Sequence, residues 1–460
     1  MDHWEMYAPE LMSDLYEFTM GESYFREGMH EEATFSVFIR DYPPNRAYFV
    51  AAGIEHLLDI ICGMRFAPSS IDYLASTEKF SPGFLAFLKD FRFTGTVRAM
   101  REGRIFFTQE PVIEVTAPII EGQILETLVL NIIQLETLVA SKAARCVQAA
   151  RGRPVVDFSF RRTQGIEAGV KAARASYLAG FIGTSNVLAG KLYDIPVYGT
   201  MAHSYITSFH REAESFRAFA RAFPDNTVLL IDTYDTLCGA RKAVEIARSL
   251  ASQGKSLKGV RLDSGDLVQL SRQVRSLFND AGFPDVSIMA SGNLDEYRLE
   301  ELLDAGAEID TFAVGTRMGV SADAPCLDIA YKLVQYDGRP ILKLSSGKKT
   351  WVGEKQVYRS YDCRGKMKED WLCLLKDGRA GAEPLLEVAV ERGERVRPPE
   401  SLDSIRGRFR KEWASLPEEY KANRPQVAYP LRISPPLLDM DRQTTEERRQ
   451  TEIEGAESSN

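Results

Sequence analysis

The sequence predicts an α/β protein: an irregular α/β barrel plus an α/β N-terminal domain completed by a β-rich C-terminal segment. Three observations lead there. Seven segments between residues 155 and 317 share one pattern, a β-branched apolar run that ends abruptly in small polar, charged or glycine residues. Most are spaced roughly 25–30 residues apart, the length of one strand-plus-helix unit of a parallel sheet. The flanking chain reads differently, with alternating strands and turn signals before residue 120 and again after Gly319. Seven strands is one short of a regular eightfold (TIM-like) barrel, so a barrel with an irregular or missing unit is expected.

Residues 1–125 form the expected N-terminal α/β domain. LMSDLYEFTMGESYFREG reads as a helix with Ser13 as N-cap and Tyr16 on its first turn. ATFSVFIR and AYFVAAG read as strands, and Gly53 before IEHLLDII marks a strand turning into a helix. FTGTVRAMREGRIFFTQEPVIEVTAP, rich in β-formers and punctuated by Gly and Pro, predicts antiparallel strands.

A long helix follows from Gly122, with Ile124, Leu125, Leu128, Val129, Ile132, Ile133, Leu135 and Leu138 on a helical period. Residues 126–335 are assigned to the barrel. Residues 336–435, where Asp337-Gly338 and Ser346-Gly347 separate strand-like runs, are expected to pack back on the N-terminal domain. Residues 436–460, polar and low in aromatics, are expected to be disordered.

Composition narrows the function. A net charge of −8 argues against a general nucleic-acid or membrane-surface binder, while leaving room for a local basic pocket. No apolar run approaches the ~20 residues that span a bilayer. The opening MDHWEMYAPELMSDLYEFTM lacks the basic and apolar regions of a signal peptide. The six cysteines are scattered without a CxxC pair, so neither a zinc site nor a disulfide framework is expected. A reduced, cytoplasmic protein is the simplest expectation.

The strand ends carry the chemistry. In a parallel α/β sheet, reactive groups gather at the carboxyl ends of the strands. IMASGN (288–293) and FAVGTR (312–317) end in Gly292 and Gly315, which read either as plain turns or as backbone suited to close approach by an anion. VRLDSGD (260–266) sets Arg261, Asp263 and Asp266 around a tight turn, which suits ribose hydroxyls, Mg²⁺ held through water, or a helix cap. LLIDTYDT (229–236) adds Asp232 and Asp235, one of which capping explains. VVDFSFRR (155–162) adds Phe158, Arg161 and Arg162, and guanidinium forks match carboxylate and phosphate. VYGTMAH (197–203) adds His203, which reads as a structural imidazole or a functional one. Together these ends describe a pocket for a phosphorylated sugar, a metal and a small planar acid.

DLYEFTM, DFSFRRTQG, GTSNVLAG, GTMAHS, DTYDT, VRLDSGD, SGNLDEY, VGTRMG and KLSSGKKTWVGEKQVYR, in that order, resemble the motifs of nicotinate phosphoribosyltransferases. The resemblance runs from about residue 12 to 360. It implies a type II phosphoribosyltransferase, a homodimer with shared active sites. The implied reaction joins nicotinate to 5-phosphoribosyl 1-pyrophosphate, with coupled ATP hydrolysis through a phosphohistidine, for NAD biosynthesis. Carried over, Phe158 and Arg261 sandwich the pyridine ring, capped by Tyr16 of the neighbouring subunit. Arg161 meets phosphate or carboxylate, and Asp263 holds the ribose hydroxyls. Thr184, Ser185, Asp232, Ser291, Gly292, Asn293, Gly315 and Thr316 complete the substrate contacts, and His203 is the phosphorylated residue. No direct protein ligand for metal is implied: Mg²⁺ accompanies pyrophosphate, reached through water from Asp263 and Asp266.

Ser185 stands where nicotinamide-using relatives carry Asp. An Asp facing the nicotinate carboxylate would cost about 4 kcal/mol at ~4 Å and an effective dielectric of ~20. Serine carries no such charge, so the acid is favoured over the amide. The chain departs from the family pattern at Ser159-Phe160, where Gly-Leu is common; Phe160 is expected to face the core and Ser159 the pocket. The rival readings are the nicotinamide-specific relative, a decarboxylating quinolinate enzyme (a shorter chain), and a non-catalytic paralogue that binds nucleotide or protein.

Overall fold

The computed structural model describes residues 8–344 and 350–458 and divides into two compact units. One comprises the chain up to Leu138 and from Cys326 onward; the other runs from Val139 to Pro325. The boundaries therefore fall at 138/139 and 325/326 instead of the expected 125/126 and 335/336. The first shift has a plain cause: the helix Glu126–Ala149 runs unbroken through the change of unit, so no linker marks it in sequence. Among the described residues no helix is long and apolar enough to cross a membrane.

In the first unit, Glu32–Ile39 is an interior strand, third in a seven-stranded sheet. It pairs antiparallel with Ile113–Pro118 on one side and with Ile329–Tyr336 on the other, matching Ala33 to Ala117 and to Tyr336. Seven of its eight residues are buried, because both faces are covered. Phe35 stacks on Tyr331 with ring centroids 4.8 Å apart. Thr96–Ala99 pairs antiparallel with Ile113–Pro118, as the β-former pattern predicts. Asp337 and Gly338, with φ of 49° and 71°, turn Ile329–Tyr336 into Arg339–Pro340 as a two-residue hairpin. The other predicted turn, Ser346-Gly347, lies outside the described residues.

Two local expectations are corrected here. Asp14, not Ser13, occupies the cap position of the helix Leu15–Arg26 and makes no side-chain cap bond. The Ser13 hydroxyl instead donates to the buried Glu17 carboxylate, which also accepts the Thr127 N–H at 2.9 Å. The tail expected to be disordered is a helix, Pro435–Ser458. Proline begins it, Leu437 is buried beside its start, and Arg448 pairs with Glu452 one turn on. Low aromatic content hid a segment rich in good helix formers.

A buried acid in this unit gives stability a pH dependence. Glu110 Oε2 accepts the Phe107 N–H at 2.9 Å, while Oε1 meets no donor. Burial, and then the neighbouring Asp370 carboxylate, push the Glu110 carboxyl well above its usual range. The native state thus keeps a proton that the unfolded chain releases above about pH 4.3. Stability contributed here falls as pH rises from that value through the raised native pKa, with a slope up to ~1.4 kcal/mol per pH unit. Glu110→Gln is expected to flatten that fall in urea titrations compared at mildly acidic and mildly alkaline pH.

The second unit is a parallel sheet in the order Gly183–Thr184, Val155–Asp157, Thr311–Val314, Ser287–Ala290, Gly259–Leu262, Val228–Leu230. Six of the seven predicted segments supply these strands. The seventh, 197–203, contributes a single parallel bridge from Val197 to Thr184. The first and last strands in chain order, Val155–Asp157 and Thr311–Val314, are neighbours, since Phe312 pairs with Val155 and Val314 with Asp157. No ladder joins the Val197 segment to Val228–Leu230 among the described residues. The pairing therefore follows barrel order but leaves one seam open, and a closed barrel is not drawn by its hydrogen bonds.

Candidate active site

Three acidic residues at the strand ends are helix caps. Asp235 accepts the Cys238 N–H at 2.7 Å, Asp266 the Val268 N–H at 3.0 Å, and Asp295 the Arg298 N–H at 2.9 Å. Each satisfies a donor that a helix start would leave open. Capping thus takes Asp235 and leaves Asp232 for another role.

A cavity of about 590 Å³ lies at the strand ends, within the range of small-molecule sites. Of the predicted residues, Phe158, Arg161, Ser185, Arg261, Asp263, Ser291, Gly292, Asn293, Gly315 and Thr316 line it together. Arg162 and Thr200 line it as well. Arg161 and Arg162, on a short 3-10 turn after Phe158, have no carboxylate partner among the described residues. Three guanidinium groups against one lining carboxylate, Asp263, make the cavity cationic.

Arg261 spans the open seam. Its Nη1 donates to Thr200 Oγ1 at 2.8 Å and to the Met201 carbonyl at 3.1 Å, while its guanidinium carbon lies 6.0 Å from the Phe158 ring centre. Burial lowers its pKa, an effect opposed by Asp263, 3.7 Å away. The two groups face each other at cation–π distance, so a planar ring enters between them only as they part.

Asp263 is fixed from two sides. Its N–H donates to Asp232 Oδ2 at 2.8 Å, and its Oδ1 accepts from the Ser291 hydroxyl. Asp232 also accepts from Ser264 Oγ at 2.8 Å. Asp232 stands outside the cavity lining, where it braces the Asp263 backbone. Thr184 also stands outside the lining: it is fully buried, and its hydroxyl donates to Asp157 Oδ2 at 2.6 Å.

His203 opens the short helix His203–Thr207 beyond the lining. Nδ1 lies 3.1 Å from Thr233 Oγ1, and Nε2 lies 3.9 Å from Asp263 Oδ2, with the side chain 42% exposed. Asp263 thus stands between the imidazole and Arg261. Tyr16 belongs to the first unit, on the helix Leu15–Arg26, where it is exposed.

The two glycine loops are tied together. Arg317 Nη1 donates to Asp295 Oδ2 at 2.8 Å, linking the turn after Gly315 to the turn after Gly292. The helix that Asp295 caps is anchored beneath by Glu296, buried against Lys142 at 2.6 Å and Arg145 at 2.9 Å.

Ser159 and Phe160 exchange their expected places. The strand ends at Asp157, so the alternation of a strand does not extend to them. Ser159 is fully buried against Gly319, where a glycine Cβ would stand 2.3 Å from its own. Phe160 lines the cavity and packs its ring onto Gly169. Among residues missed in sequence, Asp157 had the clearest signal, a carboxylate inside an apolar run.

Residues 11–134 match the nicotinate phosphoribosyltransferase N-terminal domain, and residues 154–364 the nicotinate phosphoribosyltransferase family. A nicotinate phosphoribosyltransferase of Mycobacterium tuberculosis is 45% identical over 426 residues, covering 92% of this chain and 91% of that protein. The chain belongs to the nicotinate phosphoribosyltransferase family. Its Bacillus subtilis relative of the same name is 38% identical over 357 residues, 76% of this chain and 72% of the relative. The human nicotinic acid phosphoribosyltransferase structure superposes with a TM-score of 0.86 at 28% identity, covering 94% of this chain and 100% of that one. The α/β architecture is thus that of the nicotinate phosphoribosyltransferase family.

Proposed function

We propose that this chain is a cytoplasmic nicotinate phosphoribosyltransferase that makes nicotinate mononucleotide for NAD biosynthesis from nicotinate. The second substrate is 5-phosphoribosyl 1-pyrophosphate, and ATP hydrolysis is coupled to the reaction. The observation that carries this reading is a single cationic cavity holding Phe158, three arginines, Asp263 and two glycine loops.

Nicotinate stacks between Phe158 and Arg261, its carboxylate met by Ser185 and by Arg161 or Arg162. The 5-phosphate takes the turns at Ser291–Asn293 and Gly315–Thr316, which line the cavity side by side with two glycines. The C1–O bond to pyrophosphate breaks as the pyridine nitrogen, unprotonated at neutral pH, forms the C1–N bond. Pyrophosphate leaves with the electron pair, and no proton moves. Asp263 opposes the positive charge that grows on the ribose, and preorganisation is its contribution.

Bound at the pyrophosphate group, Mg²⁺ would supply charge neutralisation there, and Asp263 would hold it through water. Asp263 fits a water-mediated contact to it, because among the described residues Oδ2 has no close donor and faces His203 at 3.9 Å. Asp266 commits Oδ1 to its helix cap, which leaves Oδ2 for a water-mediated contact. With Nδ1 donating to Thr233, the His203 lone pair sits on Nε2, the nitrogen we assign to phosphoryl transfer. The Nε2–P bond to the ATP γ-phosphoryl group forms as the bond to the ADP oxygen breaks and ADP leaves; water then takes the phosphoryl group as inorganic phosphate and the imidazole is regenerated.

A homodimer completes the site in this reading. Val187, Leu188, Leu192, Val197 and Tyr198 expose apolar surface on segments adjoining the cavity. We read them as the seat of a second copy, with Tyr16 brought by that copy.

The test supplies nicotinate or nicotinamide with phosphoribosyl pyrophosphate and Mg²⁺, with and without ATP. Mononucleotide from nicotinate, stimulated by ATP, is expected, and His203→Ala should abolish the stimulation. Equal use of both pyridines overturns the role of Ser185. Full ATP stimulation in His203→Ala overturns the phosphohistidine, and absence of product under every condition overturns the enzyme.

A further inference from the structure

Asp157 takes no part in the reaction, yet it is a fully enclosed carboxylate beside the cavity, with 0% exposure. Its Oδ1 accepts the Ser159 N–H at 2.8 Å and its Oδ2 the Thr184 hydroxyl at 2.6 Å. Its backbone carbonyl accepts the Ser185 N–H at 2.8 Å. Thr184 Oγ1 in turn accepts the Asn186 N–H at 3.0 Å. Asn186 spends its amide on the Gly169 carbonyl at 3.2 Å and on the Ala189 N–H at 3.1 Å. Among the described residues no cation pairs with Asp157, and burial raises its carboxyl above the usual range. Packing alone gives no reason to keep a lone carboxylate there, since burying one without a cation is costly.

The direction of the hydrogen bonds supplies the reason. Asn186 donates into the Thr184 oxygen, so the Thr184 proton is free for Asp157. Both Asp157 oxygens therefore face donors, and only a group that accepts at both fits. The residues joined this way are the ones just before Phe158 and Ser185.

We propose that Asp157 is a positioning residue for the pyridine subsite. It clamps the end of Val155–Asp157 to the end of Gly183–Thr184, and so sets the stacking ring, Phe158, at a fixed place relative to the carboxylate contact, Ser185. The inference rests on the nicotinate reading of the cavity.

Asp157→Asn keeps shape and brings an NH₂ group against a donor, leaving one buried donor unmatched whichever way the amide turns. Thr184→Val cuts the same clamp from the other side, and Thr184→Ser keeps the hydroxyl. Asp157→Asn and Thr184→Val are each expected to raise the KM for nicotinate about tenfold, the scale of one lost buried hydrogen bond. The KM for phosphoribosyl pyrophosphate should stay within about twofold, because its loops lie on other strands. Thr184→Ser should resemble the parent enzyme. The double variant Asp157→Asn/Thr184→Val should be no worse than the poorer single one, since both remove one link.

Lower thermal stability with an unchanged ratio of the two KM values overturns the proposal, as do additive effects in the double variant. If Asp157→Asn fails to fold, the comparison of Thr184→Val with Thr184→Ser decides alone. Failure of the parent enzyme to use nicotinate overturns the functional reading instead, so the two failures are separable.

Discussion

Asp263→Asn is expected to lower kcat/KM by about 10²–10³ with little change in thermal stability, the range seen when one preorganised electrostatic contact is removed. The substitution is nearly isosteric. It retains an oxygen for the Ser291 hydroxyl, and the backbone N–H that donates to Asp232 at 2.8 Å is untouched. What it removes is charge. Asp263 stands 3.7 Å from Arg261 and 3.9 Å from His203, the one carboxylate lining a cationic cavity. A transition state that places positive charge on the sugar needs a negative group there, and the ground state needs it less. The loss should therefore fall on kcat more than on either KM. Steady-state kinetics with each substrate varied in turn give the answer. A fall of less than about fivefold, or one confined to KM, would move the charge-opposing role away from Asp263.

The strand ends were legible because parallel strands covered on both faces are written as continuous β-branched runs, and their polar ends stand out. That signal found Phe158, Arg161, Arg162, Arg261, Asp263, Gly292 and Gly315 of one cavity, and the family resemblance added Ser185, Ser291, Asn293 and Thr316. The strand pattern could not say which polar groups face inward. Thr184 and Asp232 occupy the same kind of position as Ser185 and Asp263, yet one is buried on Asp157 and the other braces a backbone N–H. A strand of two or three residues shows too little alternation to resolve that. The exchange of Ser159 and Phe160 has the same origin, since period-two reasoning was carried past the strand's last residue, Asp157.

The open seam was hidden for a different reason. VYGTMAH has a strand's composition, but only Val197 bridges to a neighbour, and the segment's carbonyl at Met201 is taken by Arg261 instead. A side chain has replaced a ladder there, which hydrophobic pattern cannot reveal. The hairpin at Asp337-Gly338 was easier, because its geometry is set by the two turn residues themselves.

Gly292→Ala is expected to raise the KM for phosphoribosyl pyrophosphate about a hundredfold, in keeping with the cost of a displacement near 1 Å in a preorganised site. Gly292 has φ of +90°, where an L side chain is strained. A Cβ built there would stand 2.3 Å from the Asp263 carbonyl oxygen, which is backbone and has no rotamer to yield. The turn must therefore move. Ser291 precedes it and carries the hydroxyl that fixes Asp263, so the movement reaches the ribose contact as well as the phosphate turn. Gly315→Ala is the natural comparison. Its Cβ would meet the Phe158 carbonyl at 3.0 Å, with φ of −124° and no left-handed strain. A shift of a few tenths of an ångström accommodates it, and a loss several-fold smaller is expected. The order of the two effects is the informative result. Equal losses would mean that the phosphate turn tolerates displacement, and that the close approach of Gly292 to Asp263 serves folding alone.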